Sequence, residues 1–413
     1  MKEKIKTFLE RWWMLLVLLI CLPVFAYIAI NSFHGKDGIV NNGFFTFWLS
    51  GHMIWTGESP YSSTAWLGGH HANNATWIPN QIFPYPLPLA LLTAPLGALP
   101  IEQAYVLWVF LSQVIVTLGI LWLSTFWEGL NRRVFAVMIV VAYIFNNNMI
   151  STLQTGTIGA LFFLFLLVAL YCKQKKWDFA AGVVLALLAL KPLFLVVVAL
   201  IGIWLLMQRN WKMMGGIIAG GLGLFVIGLI QDVNWVNKFR GASENLFNMR
   251  LGNQPTIISY TRLACGGEMT CATTLYLVGV LFLVGLYAWL LWKKRAMLTP
   301  LTVFSTAIAL GVLLPPYIWA YDYVLLVIPV CYICFDLIQR TASYLYAILF
   351  LLVLDGIAIT AAILFALSPA SPALTIQRDM WSIWVGILVL VTVWAMVFAQ
   401  KPVATENTEK NRV

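Results

Sequence analysis

The sequence is poor in charged residues. Asp, Glu, Lys and Arg make up 10% of its 413 residues, whereas 61% are hydrophobic and the mean hydropathy is +0.87. Soluble globular domains carry about 25% charged residues, so this composition excludes a soluble fold. Several apolar runs approach the roughly 20 residues that a helix needs to cross a bilayer. We therefore expect an all-α, polytopic helical protein of the cell membrane.

Metal-binding patterns are missing as well. The six cysteines form no paired CxxC motifs, which excludes the usual cysteine zinc sites. All four histidines lie between residues 32 and 103, and the adjacent His70 and His71 point apart in regular structure. We therefore predict neither a metal nor a cofactor. Cys265 and Cys271 lie in a polar segment, where they can form a disulfide if that segment is extracytoplasmic.

The net charge of +9 does not indicate nucleic-acid binding. The basic residues punctuate apolar runs, as the positive-inside rule expects of a multi-pass membrane protein. We predict about twelve membrane helices, with both termini in the cytoplasm. They are expected near residues 13–31, 104–127, 134–147, 156–172, 179–190, 193–208, 213–231, 273–292, 298–314, 321–338, 342–365 and 381–399.

Lys191 places a charge inside the apolar stretch 179–208. Such a charge is costly in a membrane and suggests a function. The stretch is either one long helix or two short helices that meet at Lys191 and Pro192. Proline disfavours helix at the preceding residue, and the hairpin keeps most basic residues inside, so we favour the hairpin with Lys191 at its outer tip. The basic residues left outside are Lys36, Lys191, Lys238, Arg240, Arg250, Arg262 and Arg378.

This topology predicts a single integral membrane domain over residues 1–413. The aromatic run Gly43–Trp55 is expected to lie in the membrane interface as an amphipathic helix. The prolines from Pro84 to Pro100 argue against a straight spanning helix and favour a re-entrant or surface segment. The parts of the domain are a core at 13–231 with a first outer loop at 32–103, a second outer loop at 232–272, C-terminal helices at 273–399 and a cytoplasmic tail at 400–413.

Polar and aromatic side chains gather on the predicted outer side. Aromatic faces beside Asn, Gln and Asp suit a sugar, and Lys or Arg at the lipid boundary suits a lipid phosphate. The sequence therefore suggests a hydroxyl-rich substrate linked to a lipid phosphate. The candidate binding residues are Asn42, Glu58, Tyr61, Tyr85, Gln154, Lys191, Arg250, Asn253, Gln254, Arg262, Tyr317 and Trp319, and the candidate catalytic acids are Asp37 and Asp322.

Several short segments carry a family resemblance through their order and spacing. They are Gly43 to Tyr61 with Phe83 to Pro86, Leu153 to Gly159, Ala181-Gly182 leading to Ala189-Leu190-Lys191-Pro192 with Arg209 to Lys212, Asn253 to Thr256, and Pro315 to Asp322. Together they resemble glycosyltransferase family 87. That family belongs to the GT-C superfamily of multi-pass enzymes that use polyprenyl-phosphate sugars. The resemblance covers most of residues 13–330.

The resemblance implies an inverting transfer reaction at the outer face of the membrane. A polyprenyl-phosphate donor would supply the sugar, with a mannose-like hexose favoured, and a glycan or glycolipid would accept it. An acid of the first outer loop would deprotonate the acceptor hydroxyl, while basic groups would stabilise the leaving lipid phosphate. The implied partners are therefore the donor, the acceptor and the lipid bilayer.

The sequence departs from the family pattern at the catalytic acid. That acid falls about where Gly43 stands, and the preceding Asn41 and Asn42 cannot act as a carboxylate base. Either Asp37 takes the role, or another acid such as Asp322 does, or the chain has lost or altered its chemistry. The alternative function is a non-catalytic binder or transporter of a lipid-linked substrate. A transporter is expected to show an inverted repeat, and the sequence offers no convincing one.

Overall fold

The computed structural model describes residues 2–33, 35–78, 80–127, 131–144, 147–250, 255–367 and 382–399, and all regular elements within these ranges are helical. The α-helices are α1 (Lys2–Asn31), α2 (Gly35–Val40), α3 (Gly43–Thr56), α4 (Ser63–Ala72), α5 (Leu87–Gly97), α6 (Ile101–Leu123), α7 (Asn131–Ile144), α8 (Asn147–Thr155), α9 (Gly159–Gln174), α10 (Asp178–Ala186), α11 (Leu195–Met207), α12 (Trp211–Gln231), α13 (Trp235–Arg250), α14 (Ile257–Ala264), α15 (Met269–Lys294), α16 (Pro300–Gly311), α17 (Val327–Thr341), α18 (Leu345–Leu367) and α19 (Ile383–Ala399). Short 3₁₀ helices cover Ser124–Phe126, Leu187–Leu190, Pro192–Phe194 and Ala320–Leu326.

Helix length separates two groups of apolar helices. Five in the described ranges are long and apolar enough to cross a membrane, which confirms a helical membrane protein. Most of the others are shorter: a helix of 12 residues rises only about 18 Å, less than the roughly 30 Å of a bilayer core. The number of twelve crossings therefore stays a prediction. The five long spans are Trp12–Asn31, Ile101–Phe126, Trp211–Gln231, Met269–Lys294 and Ala320–Thr341.

The predicted first outer loop folds into packed helices. Two glycines let α3 and α5 touch through their backbones, since a Cβ on Gly51 would lie 2.4 Å from the carbonyl oxygen of Thr93. On Gly97, a Cβ would lie 2.1 Å from the amide nitrogen of His52. As the prolines predicted, α5 is an 11-residue helix rather than a straight span.

The position of α3 differs from the interfacial helix expected of Gly43–Trp55. Its residues from Phe44 to Gly51 are all buried. The aromatic side chains that suggested a membrane surface instead pack inside the protein. For example, the rings of Phe44 and Tyr105, on α6, form a T-shaped contact. Such side chains supply a large apolar area whether it faces lipid or a neighbouring helix, so composition alone does not separate the two environments.

The chain reverses direction around Lys191. A Cβ on Gly182 would lie 2.0 Å from the carbonyl oxygen of Met213, and one on Gly220 would lie 2.7 Å from the Cβ of Ala186. Because both contacts advance along the sequence together, α10 and α12 run parallel. The intervening α11 must therefore run in the opposite direction, which gives the hairpin that Pro192 predicted.

Basic side chains collect at the end of the bundle opposite Lys191. Lys173, near the end of α9, lies over the ring of Trp204, near the end of α11. The helix α15 begins beside the other end, where the Tyr276 hydroxyl donates to the Leu314 carbonyl oxygen, and it finishes at Lys294. We call these two ends of the bundle the Lys191 end and the basic end.

A disulfide spans the turn between α14 and α15, where it joins Cys265 at the end of α14 to Cys271 in the first turn of α15. This turn lies at the start of α15 and therefore at the Lys191 end. The sequence left the pairing of these two cysteines open, and the structure settles it. Disulfides persist in oxidising compartments, so the bridge suits an extracytoplasmic location for this end.

The contact between α10 and α12 yields the first prediction. A Cβ on Gly216 would lie 2.1 Å from the carbonyl oxygen of Phe179, whereas nothing lies within 4 Å of one on Gly221 of the same helix. We expect Gly216→Leu to destabilise the protein by about 3 kcal/mol or more, because two backbones must separate. Thermal unfolding of the purified protein in detergent measures the loss. Gly221→Leu is the control, and equal destabilisation by both variants would contradict the packing.

Candidate active site

A buried ion pair lies at the centre of the Lys191 end. The Lys191 ammonium donates a hydrogen bond to Asp322 Oδ1 at 2.5 Å, and the two side chains are only 5% and 1% exposed. The rings of Phe194 and Tyr321 lie 5.0 and 5.6 Å from the ammonium. Asp322 neutralises the lysine charge and the aromatic faces stabilise it further. Lys191 is therefore enclosed, whereas the sequence suggested a tip that faces the polar loops.

Local sequence explains why Lys191 turns inward. Pro192 excludes the helical conformation for the preceding residue, and Lys191 adopts φ −125° and ψ 96° between two 3₁₀ turns. The break ends the helical run that began with α10. It also leaves the lysine side chain at the turn of the hairpin, where it meets the segment that carries Asp322.

Asp322 holds its own segment in shape as well as the lysine. Its Oδ2 accepts a hydrogen bond of 3.3 Å from the Trp319 backbone, which caps the 3₁₀ helix Ala320–Leu326. The sequence suggested a catalytic role for this acid. The structure gives it the cap and the partnership with Lys191, two roles that leave its carboxylate buried.

Three aromatic residues, at alternate positions of the segment before Asp322, lie beside the ion pair. The Trp319 indole N–H donates to the Tyr317 hydroxyl at 2.6 Å. The Trp319 ring stacks on Tyr321, with centroids 5.9 Å apart and an interplanar angle of 22°. Tyr317 is buried, while Trp319 and Tyr321 are half-buried. The segment thus presents flat apolar faces and polar atoms together, which is what a sugar ring requires.

The last turn of α8 links this segment to the first loop. The Thr152 hydroxyl donates to the Tyr321 carbonyl oxygen at 2.9 Å. On the other side, the Asn42 amide donates to the Gln154 carbonyl oxygen at 3.5 Å, and Asn42 also caps α3 through the amide of Phe44. The side chain of Gln154 itself is exposed. Two distant candidates, Asn42 and Gln154, therefore belong to one connected network.

The second predicted loop reaches the same place. The Thr256 hydroxyl donates to the Pro316 carbonyl oxygen at 3.4 Å, and the Tyr323 hydroxyl donates to the Pro255 carbonyl oxygen at 3.2 Å. Arg262, on α14, is half-buried. The candidates Asn253 and Gln254 and the side chain of Arg250 lie outside the described residues.

Tyr61 and Tyr85 form a hydrogen-bonded pair away from the ion pair. The Tyr61 hydroxyl donates to the Tyr85 carbonyl oxygen at 2.6 Å. Burial, and then the nearby charge of Asp232, raise the pKa of Tyr61 far above its usual value. Tyr61 is therefore a neutral hydrogen-bond donor. The contribution from Asp232 also shows that the end of α12 approaches the first loop.

The other acids of the first loop are exposed. Asp37 lies in the first turn of α2, and its carbonyl oxygen accepts a 2.8 Å hydrogen bond from the Asn41 amide. The Asn41 side chain in turn binds the backbone amides of Thr76 and Trp77 at 2.7 and 2.8 Å. Glu58 is exposed just after α3. Unlike the buried Asp322, these two acids of the first loop are exposed to solvent.

The adjacent histidines have different environments. His70 is 1% exposed and its Nδ1 contacts the Trp66 carbonyl oxygen at 2.9 Å, whereas His71 is exposed. Burial lowers the pKa of His70, so its ring is neutral near pH 7. Within the described ranges, no group of three His, Cys, Asp or Glu side chains could hold a metal ion.

The pairing of Lys191 with Asp322 was missed by sequence reasoning. Both residues were singled out, but they stand 131 positions apart and were given separate roles. The available signal was electrostatic: a cation enclosed in an apolar bundle needs an acid nearby. Acids are scarce in the apolar part of this chain, and Asp322 was among the few that could serve.

Within the described residues, the protein is an all-helical membrane protein with a polar, aromatic site at one end of its bundle. The sequence profile of glycosyltransferase family 87 matches residues 83–329, which is more than half of the sequence. The chain therefore belongs to glycosyltransferase family 87, a GT-C-type family, and the resemblance is confirmed. The family indicates a membrane glycosyltransferase. No curated protein matches the chain.

The matched range includes Lys191, Asp322 and the segments around them. It begins at Phe83, so the resemblance of the segment from Gly43 to Tyr61 stays a prediction.

The ion pair yields the second prediction. Removing one partner leaves an uncompensated buried charge, so Lys191→Met and Asp322→Asn should each destabilise the protein by about 3–5 kcal/mol. The double variant should be more stable than either single variant, because no charge stays buried alone. Thermal unfolding of all four proteins in detergent forms a double-mutant cycle. Additive losses would show that the two groups do not interact.

Proposed function

We propose that the protein transfers a sugar from a polyprenyl-phosphate donor to a glycan or glycolipid acceptor at the extracytoplasmic face of the cell membrane. The observation that carries this proposal is the convergence of distant segments on the Lys191–Asp322 pair. Residues of the first loop, the last turn of α8, the hairpin tip and the segment from Pro255 all contact this neighbourhood directly or through one another. A polar site built from so many segments suits a substrate with many hydroxyls.

Charge and disulfide chemistry support the proposed orientation. Lys173, Lys294 and their basic neighbours lie at the basic end, which the positive-inside rule assigns to the cytoplasm. The bridge between Cys265 and Cys271 lies at the other end, where an oxidising compartment would keep it closed. Both termini of the chain are then cytoplasmic. The twelve-crossing topology is part of the same proposal.

Asp37 is the proposed general base. Its carboxylate is exposed, so it can take the proton of an acceptor hydroxyl as the oxygen attacks the anomeric carbon. The bond from that carbon to the donor phosphate breaks on the opposite face, which inverts the configuration. Asp322 suits this task less, because both of its oxygens already accept hydrogen bonds inside the protein.

Lys191 is the proposed cation for the leaving phosphate. An ammonium has three N–H donors, and Asp322 takes one of them. A second could reach a phosphate oxygen that enters past the half-buried ring of Tyr321. Asp322 would then act as a positioning residue that holds the ammonium in place. Arg250, Arg262, Asn253 and Gln254 are proposed to complete the donor site from the second loop.

The aromatic segment is the proposed sugar site. Trp319 offers an indole face to a pyranose ring, and Tyr317 and Gln154 offer polar atoms for its hydroxyls. Asn42, Glu58, Tyr61 and Tyr85 are proposed to shape the acceptor side. A mannose-like hexose fits the family resemblance best, and we propose it as the transferred sugar.

The base assignment yields the third prediction. We expect Asp37→Asn to lower the rate of hexose transfer from polyprenyl-phosphate hexose by roughly 10²-fold or more. Donor binding should persist, because the amide keeps the shape of the carboxylate. Glu268→Gln neutralises another exposed acid at the same end and serves as the control. Wild-type activity in Asp37→Asn would remove this residue from the mechanism, and no transfer by the wild type would favour the non-catalytic binder.

The phosphate assignment yields the fourth prediction. The double variant Lys191→Met with Asp322→Asn removes the ammonium without stranding a buried charge. Its affinity for the polyprenyl-phosphate hexose should fall by roughly tenfold, the loss of one charge-assisted hydrogen bond. Donor binding is measured on the folded, purified protein. Unchanged affinity would confine Lys191 to a structural role.

A further inference from the structure

A cavity with basic side chains in its walls lies at the basic end, away from the proposed sugar site. Its volume is about 570 Å³, and the ends of α9 and α11 and the start of α12 form its walls. We infer that this cavity binds the phosphate group of an anionic membrane phospholipid. The inference does not depend on the proposed function, because it concerns the opposite end of the bundle.

Positive charge dominates the walls of the cavity. Lys173, Arg209 and Lys212 all line it. Asp178 pairs with Lys173 at 2.7 Å, while Arg209 and Lys212 form no ion pair within the described part of the chain. Both of these side chains are exposed and therefore reachable. The cavity thus carries a net positive charge that suits an anion.

Backbone groups add to this preference. The helix α12 begins at Trp211, beside the cavity, and it is 21 residues long. Its first turn directs the positive end of the helix dipole toward this region. Asn210 caps the helix through the amide of Met213 at 3.1 Å, which fixes the start of α12 at the cavity wall.

One buried donor in the cavity wall is also without an acceptor. The indole N–H of Trp204 has no hydrogen-bond partner within the described residues, although the side chain is only 5% exposed. A buried N–H that lacks a partner costs free energy comparable to a lost hydrogen bond. An anionic oxygen bound in the cavity is the kind of group that could satisfy it after a small movement of the ring.

The surroundings favour a lipid over a soluble phosphate. Trp211, which lines the cavity, is 62% exposed, and Leu206 at the end of α11 is 51% exposed. An exposed tryptophan beside basic residues, where apolar helix surface ends, is typical of the lipid headgroup region. Basic pockets between membrane helices are known sites for anionic headgroups on the cytoplasmic side. The cavity has this composition, and the proposed orientation of the protein would place it on that side.

The test compares two variants with the same change in charge. Arg209→Gln with Lys212→Gln removes two cations that line the cavity, whereas Lys175→Gln with Lys176→Gln removes two cations of the basic end outside it. Binding of phosphatidylglycerol and of phosphatidylcholine to the purified full-length protein is measured by native mass spectrometry. Thermal unfolding without added lipid confirms that both variants fold.

We expect the wild type to prefer phosphatidylglycerol. Its affinity should fall at least roughly tenfold in the Arg209 and Lys212 variant and change less than about twofold in the control. Equal losses in both variants would overturn the site in favour of general surface charge, and equal binding of the two lipids would overturn its anion preference. Displacement of the lipid by millimolar inorganic phosphate would overturn the lipid assignment in favour of a soluble anion.

Discussion

The rest of the site depends on one interaction, the buried ion pair between Lys191 and Asp322. Water is excluded around both groups, so each charge is tolerable only because the other is present. The pair joins the tip of the α10–α11 hairpin to the segment that follows α16, across 131 positions of sequence. Because the Tyr321 carbonyl oxygen beside Asp322 also accepts a hydrogen bond from Thr152, the same interaction helps fix the end of α8.

Close backbone contacts between helices stabilise the fold together with the ion pair. Short helices such as α5, α10 and α11 cannot cover a bilayer core alone, so they must pack against neighbours. Glycine makes that packing tight: a Cβ on Gly182 would overlap the backbone of α12, and Gly156 adopts φ +58° against Phe44 and Tyr105. In a membrane, where lipid is as apolar as leucine, such contacts supply much of the attraction between helices.

The sequence predicted the features that local chemistry determines. Hydropathy indicated an all-helical membrane protein, and Pro192 together with the distribution of basic residues indicated the reversal at Lys191. It did not predict that Lys191 is enclosed, because the partner Asp322 is supplied by the tertiary fold and leaves no local pattern. It also misplaced α3, since a run of aromatic residues serves equally well against lipid or against α5 and α6. In both cases the missing information was which distant surface covers a given side chain.

Gly43 stands where the family resemblance expects an acid, and its surroundings leave little room for a side chain. Gly43 begins α3, and a Cβ there would lie 3.3 Å from Thr157 Cγ2 and 3.4 Å from the Thr155 carbonyl oxygen. A side chain at this position would therefore require the Thr157 side chain to shift by a few tenths of an ångström. The glycine keeps that contact close and leaves no carboxylate at this point. Asp322 is committed to Lys191, and our proposal therefore assigns the base to the exposed Asp37, on the helix just before α3.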